Sequence, residues 1–292
     1  MAIDKLQEKI RKTKNPSIVD FSVNMTAVPP QLFREEATPL QAYERFCMEL
    51  LTALKGIVPA VRFHFSCFSL LGPDGLLLLE RLTAYAGNLE YYILVDAPES
   101  FGPSDAETAA NLLFSDRCPY HFDGLLLSAY AGSDVLKPYT GRLSAGGKDL
   151  FVVLRTANKS AAELQDLLTG SRLVHMAAAD VVNRLAEPLV GRGGYSQVAV
   201  VGPASVADVL KKLRARYKNL FLLVDGYDYP NANAKNCSYA FDNLGRGAIV
   251  CSGSGVIGAW NTDTYDGTEY IKPVVEAAER MKKNLLRYVT VL

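Results

Sequence analysis

The chain has 292 residues, 49% of them hydrophobic and 21% charged, with 31 lysines and arginines against 31 aspartates and glutamates. That mixture can bury a full core, which excludes wholesale disorder. A formal net charge of zero gives no general pull toward nucleic acid or an acidic membrane, so neither is expected as a partner.

Residues 1–15, MAIDKLQEKIRKTKN, form a charged amphipathic segment without the apolar centre of a signal peptide. Beyond it, short apolar β-rich runs alternate with amphipathic helical stretches. Ser17–Val23 reads as a first strand, Pro39–Lys55 as a helix, Ala60–Ser66 as a second strand and Pro73–Gly87 as a helix. Tyr91–Ala97, the helix Asp105–Leu113, and the strands Gly124–Ala129 and Leu150–Thr156 follow. Helices are expected at Ser160–Leu168, Ala177–Leu185, Ser205–Tyr217 and Tyr270–Val289, and strands at Gln197–Val201, Leu220–Val224 and Ala248–Ser252. Most of these strands are unbroken apolar runs, the pattern of parallel strands covered on both faces.

Eight strands with intervening helices suit a single (β/α)8 TIM barrel over residues 1–292, with a doubly wound open sheet as the alternative. No linker or composition break divides the chain. The apolar runs Gly75–Leu79 and Leu125–Ala131 are too short to span a bilayer. Cys47, Cys67, Cys118, Cys237 and Cys251 are spread without a CxxC pair, so they read as buried or partly buried thiols in a reducing cytoplasm.

In a barrel, chemistry sits where strands end and the following loops begin. Arg62 and His64 lie two apart on one strand, so their side chains share a face, the interior if Arg62 points inward. With Asp96, Glu99 and Asp105 they form a polar set at adjacent strand ends. One reading is an acid–base site with His64 or Glu99 as base. The other is an Arg62–Asp96 ion pair with His64 hydrogen-bonded beside it. His64, Asp96 and Glu99 make a metal trio only if Glu99 turns inward; no metal or cofactor is expected. His121 and His175 have no spaced partner, and His175 reads as a surface residue. Gly253-Ser254-Gly255 resembles an anion-binding turn, and Gly191–Gly194 is a second glycine-rich stretch. Tyr227, Tyr229, Asn231, Asn233 and Asn236 form either a ligand lid or a solvated insertion.

Several segments taken in order carry a family resemblance. They are FSLLGPDGL at Phe68–Leu76, AYAGSDVLKP at Ala129–Pro138, FVVLRTANKSAAELQDL at Phe151–Leu167, GYSQVAVVG at Gly194–Gly202 and GRGAIV at Gly245–Val250. The chain resembles the orotidine 5′-phosphate decarboxylases, the last enzymes of UMP synthesis, in their longer bacterial form. The resemblance implies a barrel, a lyase activity on orotidylate and a dimer with composite active sites.

The matching segments build the scaffold, whereas the positions implied to do the chemistry differ. The family's DxKxxD keeps its first aspartate at Asp96 but meets Pro98 at the lysine, Phe101 at the second aspartate and Asp105 at the following threonine. Arg62 stands at the second-strand lysine and Ser22 at the first-strand aspartate that holds the ribose. Ser128-Ala129 replaces an Asn-Pro. Asp225-Gly226-Tyr227-Asp228-Tyr229-Pro230 puts Pro230 at a phosphate-holding glutamine, and the run from Cys251 through Ser252 to Gly255 puts Ser254 at a phosphate-holding arginine. Asp225 and Asp228 oppose a dianion there. Proline cannot supply the ammonium that would stabilise and protonate a carbanion. Lys137, Lys148 and Lys159 are not placed to replace it.

Three functions follow. The first is a non-catalytic homologue acting through binding or assembly, as a homodimer or a heterodimer with an intact decarboxylase, with Phe101 as an interface residue. The second is an enzyme rebuilt for another small molecule, using Arg62, His64, Asp96, Glu99 and Asp105. The third is an active orotidylate decarboxylase.

Overall fold

A run such as Leu220–Val224 has no polar face to offer water. In the computed structural model, which describes residues 1–22, 24–262 and 268–291, such runs are buried on both faces of a closed parallel barrel. Its strands are β1 (Ser17–Phe21), β2 (Ala60–Phe63), β3 (Tyr92–Asp96), β4 (Gly124–Ser128), β5 (Asp149–Val153), β6 (Val198–Pro203), β7 (Leu222–Asp225) and β8 (Ala248–Ser252). Each pairs with its sequence neighbours, and β8 closes on β1 with Ser17 opposite Val250. Closure removes the open-sheet alternative. The expected first strand ends earlier, at Phe21, and Val23 lies outside the described residues.

The main helices are α1 (Ala2–Thr13), α2 (Pro39–Ala53), α3 (Gly72–Asn88), α4 (Pro103–Leu113), α5 (Ser133–Thr140), α6 (Val174–Ala186), α7 (Ala207–Arg216) and α8 (Ile271–Leu286). Thr38 caps α2 by accepting the Gln41 N–H at 3.2 Å, with Pro39 in its first turn. Alternate strand residues point outward to the helices, Val61 and Phe63 of β2 for example, and join Phe46, Leu50 and Leu78 in the outer core. The others point inward. Ile18, Ala60, Tyr92, Leu94, Leu126 and Phe151 belong to the layers that fill the barrel.

The amphipathic first segment is a helix that stoppers the barrel floor. Ala2, Ile3, Leu6 and Ile10 of α1 share the interior cluster with Tyr92, Phe151 and Phe221. Burying the two isoleucines and the leucine contributes about 1.5–3 kcal/mol each. Below Tyr92 sits Asp149, fully buried, which accepts the Tyr92 hydroxyl at 2.8 Å. Burial holds its carboxyl well above the usual range, against the pull of the Tyr92 hydroxyl and the Ile3 backbone.

The helix expected at Ser160–Leu168 does not form. A 3-10 turn at Lys159–Glu163 and a small hairpin pairing Leu168–Thr169 with Arg172–Leu173 replace it. Tertiary bonds override helix propensity here. The Gln165 side chain accepts the Thr156 N–H at 2.8 Å, and Arg155 Nη2 reaches Asp166 at 2.9 Å. His175 is part of the same knot, not a surface residue. It is fully buried, with Nδ1 at 2.9 Å from the Gln165 carbonyl and 3.1 Å from Asp166.

Candidate functional site

The period of two along β2 puts Arg62 on the same side as Ala60, which faces the interior, and His64, one residue past the strand in extended backbone, keeps that side. Both therefore enter the barrel at its C-terminal end, as the spacing predicts. Register places Asp20 of β1 directly beside Arg62. There Asp20 Oδ2 lies 2.8 Å from His64 Nε2 and 3.7 Å from Arg62 Nη1. Arg62 Nη1 also lies 3.5 Å from Asp225 Oδ1, at the end of β7.

The result is a chain of charge, His64–Asp20–Arg62–Asp225, across one side of the barrel mouth. Burial opposes the charge on Asp20, yet Arg62 and His64 outweigh it and hold its carboxyl below the usual range. Burial likewise opposes the Arg62 charge, and Asp20 and Asp225 more than restore it, so the guanidinium stays ionised. Asp20 Oδ1 and Arg62 Nε are nonetheless buried without a hydrogen-bond partner. Cys251 lies in the same layer, its thiol pushed well up by burial and by Asp225 and Asp20.

The expected Arg62–Asp96 pair is not made. Asp96 turns to the segment after β2, where its carboxylate accepts the Phe65 N–H and, at 3.0 Å, the Ser66 hydroxyl. It acts as a cap for the short helix Phe65–Ser69. Glu99 is exposed on the loop that follows and does not join the His64 cluster, which removes the metal trio. Among the described residues no group of three His, Cys, Asp or Glu side chains is placed to hold a metal ion. Asp105 and Pro98 line a different feature, an outer groove of about 520 Å³ with Phe65, Leu112, Cys118 and Tyr120. Asp105 therefore stands outside the mouth, in the first turn of α4.

The adjoining side of the mouth is built by the loops after β7 and β8. Gly226 adopts φ +77°, and its N–H donates to Asp225 Oδ1 at 2.9 Å. The Tyr227 N–H donates to the Cys251 carbonyl at 3.1 Å, tying the two loops together. Asp228 then reaches into the glycine turn. Its carboxylate accepts the Ser252 hydroxyl at 2.6 Å and the Gly253 N–H at 2.7 Å. A Cβ on Gly255 would lie 2.3 Å from Asp228 Oδ1, so a glycine is needed for this approach. Ser254 is exposed and opens the short helix Ser254–Ile257.

Ser128 is exposed at the end of β4, where its hydroxyl accepts the Tyr130 N–H at 3.3 Å. The Ser22 carbonyl accepts the Tyr43 hydroxyl at 3.0 Å. The asparagine-rich loop bonds to itself: Asn233 caps the helix Ala234–Ser238 by accepting the Asn236 N–H, and Asn236 Nδ2 donates to the Asn231 carbonyl. Of the three lysines in question, Lys148 is spent at the other end of the barrel on the Phe122 carbonyl at 2.8 Å. Lys137 lies in α5 and Lys159 in the 3-10 turn before the hairpin.

Sequence reasoning did not name Asp20, which joins His64 to Arg62, among the site residues. The signal was present, as Asp20 is a lone charge inside an apolar strand, in phase with Ser22.

No protein-family model matches the chain. The orotidine 5′-phosphate decarboxylase of Rhodopirellula baltica is 28% identical over 77% of this chain and 76% of its own length. That of Petrotoga mobilis is 27% identical over 89% of each. Among solved structures, Leishmania donovani OMP decarboxylase superposes with a TM-score of 0.71 at 21% identity, covering 97% of this chain and 98% of that one. The structural likeness shows a shared barrel fold.

Proposed function

From the chain's homology with the orotidine 5′-phosphate decarboxylases over most of its length, we propose that it no longer decarboxylates orotidylate and serves as a binding or assembly barrel. One observation carries this reading. The turn after β8 that would present its N–H and hydroxyl to an anion is already taken by the Asp228 carboxylate. A phosphate placed there would meet fixed negative charge, at about 4 kcal/mol per unit charge pair 4 Å apart in a partly solvated site.

The remaining charges point the same way. The buried cation Arg62 is shared by Asp20 and Asp225, and Pro98, which the resemblance aligns with the lysine, lines the outer groove and carries no proton to give. A neutral or cationic small molecule fits this mouth better than a nucleotide phosphate. Ser22, His64, Ser128, Gly226, Tyr227 and Ser252 are its proposed contacts, with Arg62 and Asp96 as remnants of the older site. Assembly is as a homodimer or with an intact decarboxylase. Phe101, 85% exposed, and Leu112, 61% exposed, give the face beside α4 its apolar character. No helix among the described residues is long and apolar enough to cross a membrane, and the proposed setting is the cytoplasm.

The test is orotidylate turnover together with thermal shift. A ligand at a hundred times its dissociation constant adds about 2.7 kcal/mol of stability. The expected result is a cooperative melt with no decarboxylation and no shift from orotidylate at the mouth. Turnover of orotidylate would defeat the proposal. A second reading, an enzyme acting on another small molecule, is favoured by the 2.8 Å His64–Asp20 contact, since a carboxylate that orients an imidazole is an acid–base arrangement. It predicts that His64→Gln abolishes turnover of whatever substrate a screen reveals while the chain still melts cooperatively.

A further inference from the structure

At the end of the barrel opposite the mouth, a cleft of about 800 Å³ opens between α1 and the loops leading into β6 and β8. Both loops read Gly-Arg-Gly, at residues 191–193 and 245–247. Each presents an exposed arginine, Arg192 or Arg246, and Arg11 of α1 adds a third from the facing wall. Three chain segments distant in sequence thus bring guanidinium groups to one cleft.

Arg11 and Arg192 have no ion-pair partner among the described residues, and Arg246 Nε lies 3.4 Å from Asp242. Two carboxylates share the cleft but are engaged. Asp4 accepts the Gly193 N–H at 3.0 Å, and Glu8 is held by Lys12 at 3.2 Å. Gln7 also lines it, and its Oε1 is buried without a hydrogen-bond donor. An unmet buried acceptor is costly, and a turn of the Gln7 side chain would bring Oε1 to a donor in the cleft. The volume falls within the range of small-molecule sites, and guanidinium forks match phosphoryl oxygens.

We propose that this cleft binds a phosphorylated small molecule of about nucleotide size, its phosphoryl oxygens on Arg11, Arg192 and Arg246 and a donor group on Gln7 Oε1. The site is separate from the mouth and does not rest on the function proposed for it.

Calorimetric titration of the full chain with inorganic pyrophosphate and with AMP tests this. Saturable binding is expected, weakened about tenfold or more by Arg192→Ala and by Arg246→Ala. Gln7→Leu should weaken AMP more than pyrophosphate, because pyrophosphate needs only the arginines. Absence of saturable binding by the wild-type chain, or binding indifferent to both arginine variants, would overturn the proposal. The two sites fail separately. A thermal shift from orotidylate that Arg192→Ala and Arg246→Ala abolish belongs to this cleft, and one they leave intact belongs to the mouth and counts against the preceding section.

Discussion

Replacing Asp20 by Asn tests whether the charge chain at the mouth is held together as described. Asp20 faces two partners, His64 at 2.8 Å and Arg62 at 3.7 Å. Its side chain is 14% exposed and that of Arg62 8%, so solvent screens the contact only partly. At that spacing the gross attraction to the guanidinium is about 4 kcal/mol at an effective dielectric of 20. Part of it returns, because the amide no longer carries a charge that burial penalises, and Asp225 still faces Arg62 at 3.5 Å. The net loss should resemble a hydrogen bond to a charged group plus a weakened ion pair, about 2–3 kcal/mol. In a barrel of this size that lowers the melting temperature by about 3–5 °C. The sign with pH follows from the lowered carboxyl of Asp20. The stabilisation is complete above the ordinary carboxylate value of about 4 and is lost as pH falls through the lower folded value. Wild type and Asp20→Asn should therefore differ at neutral pH and converge in acid. A difference under about 0.5 kcal/mol, or one that persists unchanged in acid, would refute the assignment.

Asp149 should behave in the opposite sense. Its folded carboxyl is raised, so the native state keeps a proton that the unfolded chain releases, and stability falls as pH rises above about 4. Denaturant melts of Asp149→Asn should show a flatter pH profile than the wild type, and an equal slope in both would count against a protonated Asp149. Gly247→Ala adds a Cβ at φ +82° and 2.3 Å from the Tyr195 ring. That ring is pinned by Asp242 at 2.8 Å, so a loss of about 3 kcal/mol or more is expected; a smaller one in urea melts would mean that Tyr195 can yield. Phe101→Ser should leave the chain's own stability within about 0.5 kcal/mol and shift sedimentation toward the monomer. An unchanged mass distribution would remove Phe101 from the proposed interface.

The barrel was legible because its signal is local. Ala248–Ser252 has the same bounds in the sequence reading and in the structure, and the parity of Arg62 and His64 follows from the strand period alone. The site was less legible because it is made by register. That Asp20 stands beside Arg62, while Asp96 turns to the Phe65 N–H, depends on how neighbouring strands align. The resemblance drew attention to Ser22 instead, two residues further on. The loss of the helix at Ser160–Leu168 and the burial of His175 share one cause, the Arg155–Asp166–His175 knot. Nothing in the spacing of those three residues announces it. The amphipathic pattern of α1 was visible, but its docking partner was not, since apolar residues from several strands make the surface that receives it.

That docking also bears on how the molecule assembles. Asp4 holds the backbone of Gly193, 189 positions away, and Ile3 and Leu6 rest on side chains from β3, β5 and the segment just before β7. Until those strands exist, the apolar stripe of α1 has nothing to cover. Contacts so far apart reward the chain only after a large loop has closed, and closure grows costlier with length, though slowly. The floor helix is therefore made before the strands that receive it and is seated only after them. During synthesis its apolar face waits for more than half the chain to follow before it is covered.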